Sequence, residues 1–297
     1  MGVSIDDALI TQFLDTVHLK AQQCKARLRP YVEVIPLNGD IAAYDGIGTV
    51  EAREIKGRVQ PVQFTDIEHF RRKIPRRRFE VTIPVDSADV RGMLQDPSNK
   101  YAQAMVMGIE RRFDRLALEA AFAPVWTGRD FDKQITAADD GVKVVDATSG
   151  LTYEKLLEVQ QNFIDADVGN DMPEKFFLAV AGDEHTDMMS ETKLISGDFS
   201  RQYAVDKGKI TQALDFDIVR YAGKTKNPML EVTASNVRRC IAASSRAIAV
   251  GISLKPKFDV SERKDYYETT QLQIIVEMGA IRTEGALIQE VKTTATA

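Results

Sequence analysis

The chain has 297 residues, of which 44% are hydrophobic and 28% are charged, and these proportions exclude wholesale disorder. Its 44 acidic and 39 basic residues give a formal charge of −5, whereas a protein that coats nucleic acid along its whole surface is usually basic. Any contact with nucleic acid is therefore expected to be local. Two cysteines, Cys24 and Cys240, are too few for a disulfide framework, so reduced thiols and intracellular assembly are expected.

The first predicted element is an amphipathic helix that Ser4 caps and that runs to Cys24. Its apolar stripe recurs at three- and four-residue steps, in Ile10, Phe13, Val17, Ala21 and Cys24. Pro30 lies just beyond the stripe and favours a stop. Because an irregular stretch follows at 36–48, the segment is interpreted as an arm that reaches away from its own core. Cys24 is predicted to be a core residue and not a nucleophile.

Residues 49–85 are predicted to form a β-ribbon with a charged tip. The outgoing strand carries Val50, Val59, Val62 and Phe64, and the returning strand carries Phe79, Val81, Ile83 and Val85. The basic tip consists of Arg71, Arg72, Lys73, Arg76, Arg77 and Arg78. Three interpretations remain open for this tip: a nucleic-acid contact, a solvated loop, or a contact with carboxylates of a neighbouring copy. The last is favoured, because only two aromatic residues flank the run and a lone ribbon is marginally stable in water.

A long helix is predicted over about 98–122, a rod of about 37 Å. Its apolar stripe consists of Ala102, Met105, Ile109, Phe113, Leu116 and Ala120. Its charged face consists of Glu110, Arg111, Arg112, Asp114 and Arg115, with Glu119. Beyond the helix, the sequence at 139–141 predicts a turn before a short apolar strand.

From residue 151 the sequence alternates between helices and buried strands. Thr152 is predicted to cap a helix, 176–181 to form a central strand, and 183–194 to form another helix. The last third is rich in strands, with a regular alternation in Leu272, Ile274, Val276 and Met278.

Signatures of catalysis are scarce in this sequence. It contains no G-x-S-x-G, H-E-x-x-H or C-x-x-C motif. Asp183, His185 and Asp187 could gather a metal, but one histidine with loosely spaced carboxylates is a poor cage, and an acid-rich helix start is the favoured interpretation. No enzyme activity, cofactor or metal is therefore expected.

The order of these parts resembles the major capsid proteins of tailed bacteriophages, which have the Johnson or Hong-Kong-97-like fold. The resemblance rests on three stretches: the arm at 13–34, the helix segment at 105–117, and the ending from 247–251 through 279–282 to 286–288. It implies an α+β fold with an N-terminal arm (1–45), an E-loop ribbon (46–85), a first P-domain part with the spine helix (86–150), an A-domain (151–235) and closing P-domain strands (236–297). It also implies that the basic tip contacts an adjoining subunit.

The resemblance implies a structural protein that self-assembles, as pentamers and hexamers, into an icosahedral shell in the host cytoplasm. Such a shell encloses double-stranded DNA without sequence-specific binding. Because only residues 1–45 precede the ribbon, a separate scaffolding protein is expected, together with a portal. Two alternatives stay open: a cargo-holding nanocompartment of the encapsulin type with the same fold, and an unrelated soluble α+β enzyme. Particles hundreds of Å wide would exclude the enzyme, and a neighbouring cargo-enzyme gene would indicate the nanocompartment.

Overall fold

The computed structural model describes residues 22–37, 39, 42–54, 62, 64–85, 98–146, 149–169, 174–195, 205–206, 209–224, 228–233, 235–253, 257–263 and 269–295. The predicted first helix lies outside these residues except at its end. There the prediction is wrong, because residues 22–24 are not helical and Cys24 is exposed. Side chains of a distant helix hold the backbone of this segment, in place of helical hydrogen bonds of its own.

The described elements mix helices and strands, which confirms the predicted α+β class. A 3₁₀ turn at Arg29–Tyr31 precedes the first strand. In chain order the elements are β1 (Glu33–Leu37), β2 (Ala42–Ile47), β3 (His69–Ile74), β4 (Arg77–Val85), α1 (Ser98–Phe122), β5 (Val125–Thr127), β6 (Lys133–Ile135), β7 (Lys143–Val145), α2 (Tyr153–Asp165), β8 (Phe176–Val180), α3 (Gly182–Ser190), α4 (Thr192–Ile195), β9 (Val205–Asp206), β10 (Lys209–Ile210), β11 (Gln212–Ala213), β12 (Phe216–Arg220), β13 (Val237–Ser244), β14 (Ile248–Ser253), β15 (Lys257–Arg263), β16 (Thr269–Arg282) and β17 (Ile288–Thr294).

A five-stranded sheet is organised around the long strand β16. The strands β14 and β15 pair with its two halves on one side, β4 pairs with it on the other, and β1 extends the sheet beyond β14. The four predicted alternating residues, from Leu272 to Met278, are all buried. They belong to the same core cluster as Phe113 and Leu116 of α1, so the long helix packs along this sheet.

A six-stranded sheet has the order β11-β12-β8-β13-β17-β7. The predicted strand at 176–181 is confirmed as β8, and it lies inside the sheet with every residue from Phe177 to Val180 buried. Thr152 caps α2 as predicted, by accepting a hydrogen bond from the Lys155 backbone. Although β13 and β17 fall within the predicted closing unit 236–297, they pair in this sheet. The predicted boundary at residue 235 therefore cuts between strands that share one hydrogen-bonded ladder.

A smaller, four-stranded sheet has the order β2-β3-β5-β6. Its hairpin joins β2 to β3 in antiparallel register, from Ala42 opposite Ile74 to Ile47 opposite His69. The prediction of a ribbon at 49–85 with the basic run at its tip is therefore wrong. The strands that pair are Ala42–Ile47 and His69–Ile74. The basic run forms β3 and the start of β4, and β4 belongs to the five-stranded sheet. The described residues that lie between β2 and β3 in the chain are instead 48–54, 62 and 64–68.

Within the described residues, no helix combines the length and the apolar character that a membrane span requires.

Candidate contact surfaces

The N-terminal arm is bound to the middle of α1 by a buried carboxylate. The Oδ2 atom of Asp114 accepts hydrogen bonds from the Arg27 backbone N–H at 2.8 Å and from the Gln23 amide at 2.5 Å, and Oδ1 accepts from the Leu28 backbone N–H at 3.1 Å. The Tyr221 hydroxyl donates to Oδ2 at 3.0 Å. Asp114 is fully buried, so its four donors replace the water that a carboxylate normally binds.

A second carboxylate of α1 extends this contact by one residue of the arm. Glu110, one helical turn before Asp114, accepts from the backbone N–H of Ala26 at 3.0 Å. Three consecutive amides of the arm thus point at two carboxylates of α1, and the Leu28 side chain is buried beside them. We call this contact, formed by residues 23–28 with Glu110 and Asp114, the arm latch.

Asp114 departs from the sequence-based prediction, which placed it on a charged face of the helix. It lies between buried residues because the arm and Tyr221 cover that side of α1. Burial raises the pKa of Asp114, although the Arg27 and Leu28 amides, Gln23 and Tyr221 all favour its charged form. The other predicted residues of that face, Glu110, Arg111, Arg112 and Arg115, are half-buried. Of these, Arg112 stacks on the Phe79 ring at 4.7 Å and pairs with Glu119.

The arm then continues to a second anchor at Tyr31. Its hydroxyl donates to Asp217 at 3.0 Å, and its ring lies 5.6 Å from that of Phe177. Burial, together with the hydrogen bond to Asp217 and the charge of that carboxylate, raises the pKa of Tyr31 to about 12. The hydroxyl therefore remains a proton donor at neutral pH, and β1 begins two residues later.

The base of the hairpin is fixed by a buried ionic cluster. Arg72 donates to both oxygens of Asp140, at 2.7 and 2.8 Å, and Arg282 donates to the same carboxylate at 2.6 Å. The guanidinium of Arg282 also donates to the carbonyls of Ala121 and Ala123, at the end of α1. We call Arg72, Asp140 and Arg282 the hairpin clamp, because it ties β3 to α1 and β16.

The connection from β3 to β4 crosses β16 at close range. A Cβ atom on Gly279 would lie 2.1 Å from the carbonyl oxygen of Pro75, so only glycine permits this approach. Arg76 lies directly after the crossing and forms an ion pair with Glu277 of β16. The corner between the hairpin and the large sheet is therefore determined by backbone contact and by charge.

Most of the predicted basic tip is paired within its own chain. Arg71 meets Asp45 across the hairpin at 2.6 Å, and Arg77 lies 4.0 Å from Glu119. Lys73 is half-buried, whereas Arg78 is exposed on β4. A local basic run in the sequence did not reveal these partners, because the carboxylates come from positions 26 to 201 residues away.

Several apolar side chains in the described residues at and between β2 and β3 are exposed. Phe64 is 91% exposed, Val62 80% and Ile47 67%, with Val50 and Ile67 also exposed. A hydrogen bond from the Gly48 amide to the Glu68 carbonyl, at 2.8 Å, continues the ladder towards this segment. We call Ile47, Val50, Val62, Phe64 and Ile67 the apolar tip. Large exposed apolar patches mark protein contact surfaces, so these five side chains are the candidate contact residues of the hairpin.

A profile of the phage capsid protein family matches residues 5–294. The chain belongs to this family. Solved structures agree in fold: the capsid of Cyanophage P-SCSP1u superposes with a TM-score of 0.70 at 14% identity, covering 100% of this chain and 96% of that one. A chain of Mycobacterium phage Che8 gives 0.68 at 13%, covering 94% and 95%, and the head of Helicobacter pylori bacteriophage KHP40 gives 0.70 at 8%, covering 94% of both. No curated protein sequence matches.

These matches confirm the predicted relationship to tailed-phage major capsid proteins and their Hong-Kong-97-like fold. The capsid protein is thus a structural subunit of a phage shell. In the part of the chain that the structure describes, no group of three or more potential metal ligands lies together. Asp183 and Glu184, in the first turn of α3, instead form ion pairs with Arg238 of β13, with N–O distances of 3.1 and 2.8 Å.

Proposed function

We propose that this capsid protein closes its shell through the apolar tip of its hairpin, which contacts adjoining copies. The observation that carries the proposal is the exposure of the apolar tip on a hairpin whose base is tied to the subunit by the hairpin clamp. Burial of exposed apolar side chains against a neighbour favours assembly, and a tied base reduces the conformational freedom that docking costs. Obligate interfaces of this kind commonly bury more than about 2,000 Å².

The subunits associate as pentamers and hexamers in this proposal. The six-stranded sheet faces the local symmetry axis, and the five-stranded sheet meets neighbours along the edges. Such heterologous contacts close into a shell only when the rotation between copies is correct, so the angle of the hairpin contributes to curvature. The exposed arginines Arg77 and Arg78 remain candidates for ion pairs with a neighbour, as the sequence predicts for the basic run.

The shell is proposed to assemble in the host cytoplasm with a separate scaffolding protein and a portal, and to enclose double-stranded DNA. The family match and the neighbouring phage heads favour this genome container over a cargo-holding nanocompartment.

The test exchanges the two most exposed apolar side chains of the tip for a polar residue of similar size. We expect the double variant Val62→Gln and Phe64→Gln to keep the melting temperature of the unassembled subunit, because both side chains are already exposed. Electron microscopy of the expressed protein should show no closed shells. The matched control is Leu157→Gln with Ile164→Gln on α2, which removes two exposed apolar groups elsewhere. Normal shells from the tip variant would contradict the proposal.

A further inference from the structure

A row of cations lies along the outer side of the arm latch. Lys25, Arg27 and Arg29 alternate with Ala26 and Leu28, and the three basic side chains are exposed. Leu28 is fully buried against α1, and Ala26 is half-buried beside it. The amides that bind the two carboxylates thus hold the arm in a fixed orientation with its charges facing outward.

Two of these cations are held in place by aromatic rings. The guanidinium of Arg27 lies 5.5 Å from the centre of the Tyr221 ring, and it donates to the carbonyl of Arg220. The guanidinium of Arg29 lies 5.4 Å from the centre of the Phe113 ring. Stacking restricts the rotamers of both arginines, so less side-chain entropy is lost when they bind an anion.

A fourth cation joins the row from the helix. Arg111 donates to the side-chain oxygen of Gln22 at 2.5 Å and to the carbonyl of Gln23 at 3.3 Å. These two contacts bring its charge to the beginning of the latch. We call Lys25, Arg27, Arg29 and Arg111 the arm cation row.

The row is poorly neutralised compared with the basic run of the hairpin. Among the described residues, Lys25, Arg27 and Arg111 form no salt bridge, and Arg29 reaches Glu110 only at 3.9 Å. Two carboxylates lie nearby, Glu110 and Asp114, and both accept hydrogen bonds from backbone amides of the latch. Four cations beside two carboxylates leave a local excess of positive charge on a chain whose net charge is −5.

We propose that the arm cation row binds the phosphate backbone of double-stranded DNA without reading its sequence. Phosphates require only positive charge and N–H donors, which the row supplies, and arginine matches a phosphate with two parallel hydrogen bonds. A protein partner would need apolar anchors as well. Within residues 22–31 the large apolar side chains, Leu28 and Tyr31, are both turned into the subunit. The inference rests on the proposed function, because it assigns the surface with which the shell meets its genome.

The test compares two triple variants of the full chain with equal changes in charge. The first carries Lys25→Gln, Arg27→Gln and Arg29→Gln. The control carries Arg129→Gln, Lys133→Gln and Lys257→Gln, at exposed positions outside the arm. Binding of a short fluorescent DNA duplex to unassembled subunits is followed by anisotropy over a range of salt concentrations.

We expect the arm variant to lose about tenfold or more in affinity at low salt. The slope of log affinity against log salt should fall by about 2.7, at about 0.9 for each lost phosphate contact. The control should keep the slope of the unaltered chain. Equal losses in both triple variants would overturn the proposal, as would a polyglutamate peptide that binds the row more tightly than the duplex does.

A charge-conserving variant separates the charge from the conformation of the arm. Arg27→Lys with Arg29→Lys keeps both charges and weakens the ring stacking, so it should bind DNA within about threefold of the unaltered chain. Loss of binding in this variant to the level of the glutamine variant would overturn the proposal. Electron microscopy distinguishes this inference from the proposed function: the arm variant should still form closed shells, whereas failure of the unaltered chain to form shells would count against the shell proposal alone.

Discussion

Arg72 and Asp140 form a bidentate ion pair, in which the two Nη atoms of Arg72 lie 2.7 and 2.8 Å from the two carboxylate oxygens. Both side chains are less than one tenth exposed. The pair joins the second strand of the hairpin to the turn that precedes β7, and Arg282 shares the same carboxylate. The angle at which the hairpin leaves the subunit therefore depends on one buried acidic residue. Under the proposed function, that angle also sets where the apolar tip meets a neighbour.

Removing the charge of Asp140 should destabilise the subunit strongly. Asp140→Asn leaves two buried arginines without their shared counter-ion, so we expect a loss of about 3 kcal/mol in the free energy of unfolding, measured with urea. Asp45→Asn is the matched control, because Asp45 pairs with Arg71, the neighbour of Arg72 on β3. Its pair with Arg71 is exposed to solvent, so the control should hardly change stability. Similar losses in the two variants would show that the clamp does not hold the hairpin.

The acid dependence of stability should reveal the same carboxylate. Burial opposes the ionisation of Asp140, but hydrogen bonds and charge from Arg72 and Arg282 outweigh it and hold the pKa below its ordinary value of 3.8. A depressed pKa in the folded state contributes stability that is present above 3.8 and disappears as the pH falls through the lower value.

The measurable consequence is a difference between two unfolding curves. The stability advantage of the unaltered chain over Asp140→Asn should be constant near neutral pH and should shrink as the pH falls below 3.8. The corresponding difference for Asp114→Asn should change in the opposite direction. Burial raises the pKa of Asp114, so its contribution is greatest below 3.8 and declines as the pH rises through the raised value. Parallel behaviour of the two variants would contradict these assignments.

The arm latch should depend far more on Asp114 than on Glu110. Asp114→Asn places an amide N–H₂ group against buried donors, and we expect a loss of about 3 kcal/mol. Glu110→Gln keeps an oxygen that can accept from the Ala26 amide, so its loss should stay below about 1 kcal/mol.

Limited proteolysis separates release of the arm from global unfolding. Trypsin should cut after Lys25 and Arg27 in Asp114→Asn, under native conditions in which the Glu110→Gln protein stays intact. The bond after Arg29 should resist in both, because Pro30 follows it. Unchanged cleavage in Asp114→Asn would mean that the arm is held by other contacts.

The sequence by itself determined the elements whose side chains repeat with a regular period. The alternation in β16, the stripe of α1 and the Thr152 cap of α2 all depend on residues within a few positions of one another, and the structure has each of them. The order of these elements was also sufficient to indicate the capsid fold. Periodicity reports which face of an element is apolar, and that information is local.

Only the tertiary structure showed which polar residues are buried and hold elements together, and which are exposed to solvent. The sequence predicts that Asp114 belongs to a charged helix face. In the structure, the arm, 86 residues away in the chain, covers it. The sequence predicts that the basic run is a loop tip. In the structure, Asp140 pairs with Arg72 from 68 residues away, and Glu277 pairs with Arg76 from 201 residues away. Ion pairs and buried hydrogen bonds form between groups that folding brings together, and they leave no period in the sequence. For that reason Val62 and Phe64 are exposed between the two hairpin strands, whereas Arg72 and Arg76 are paired within the chain.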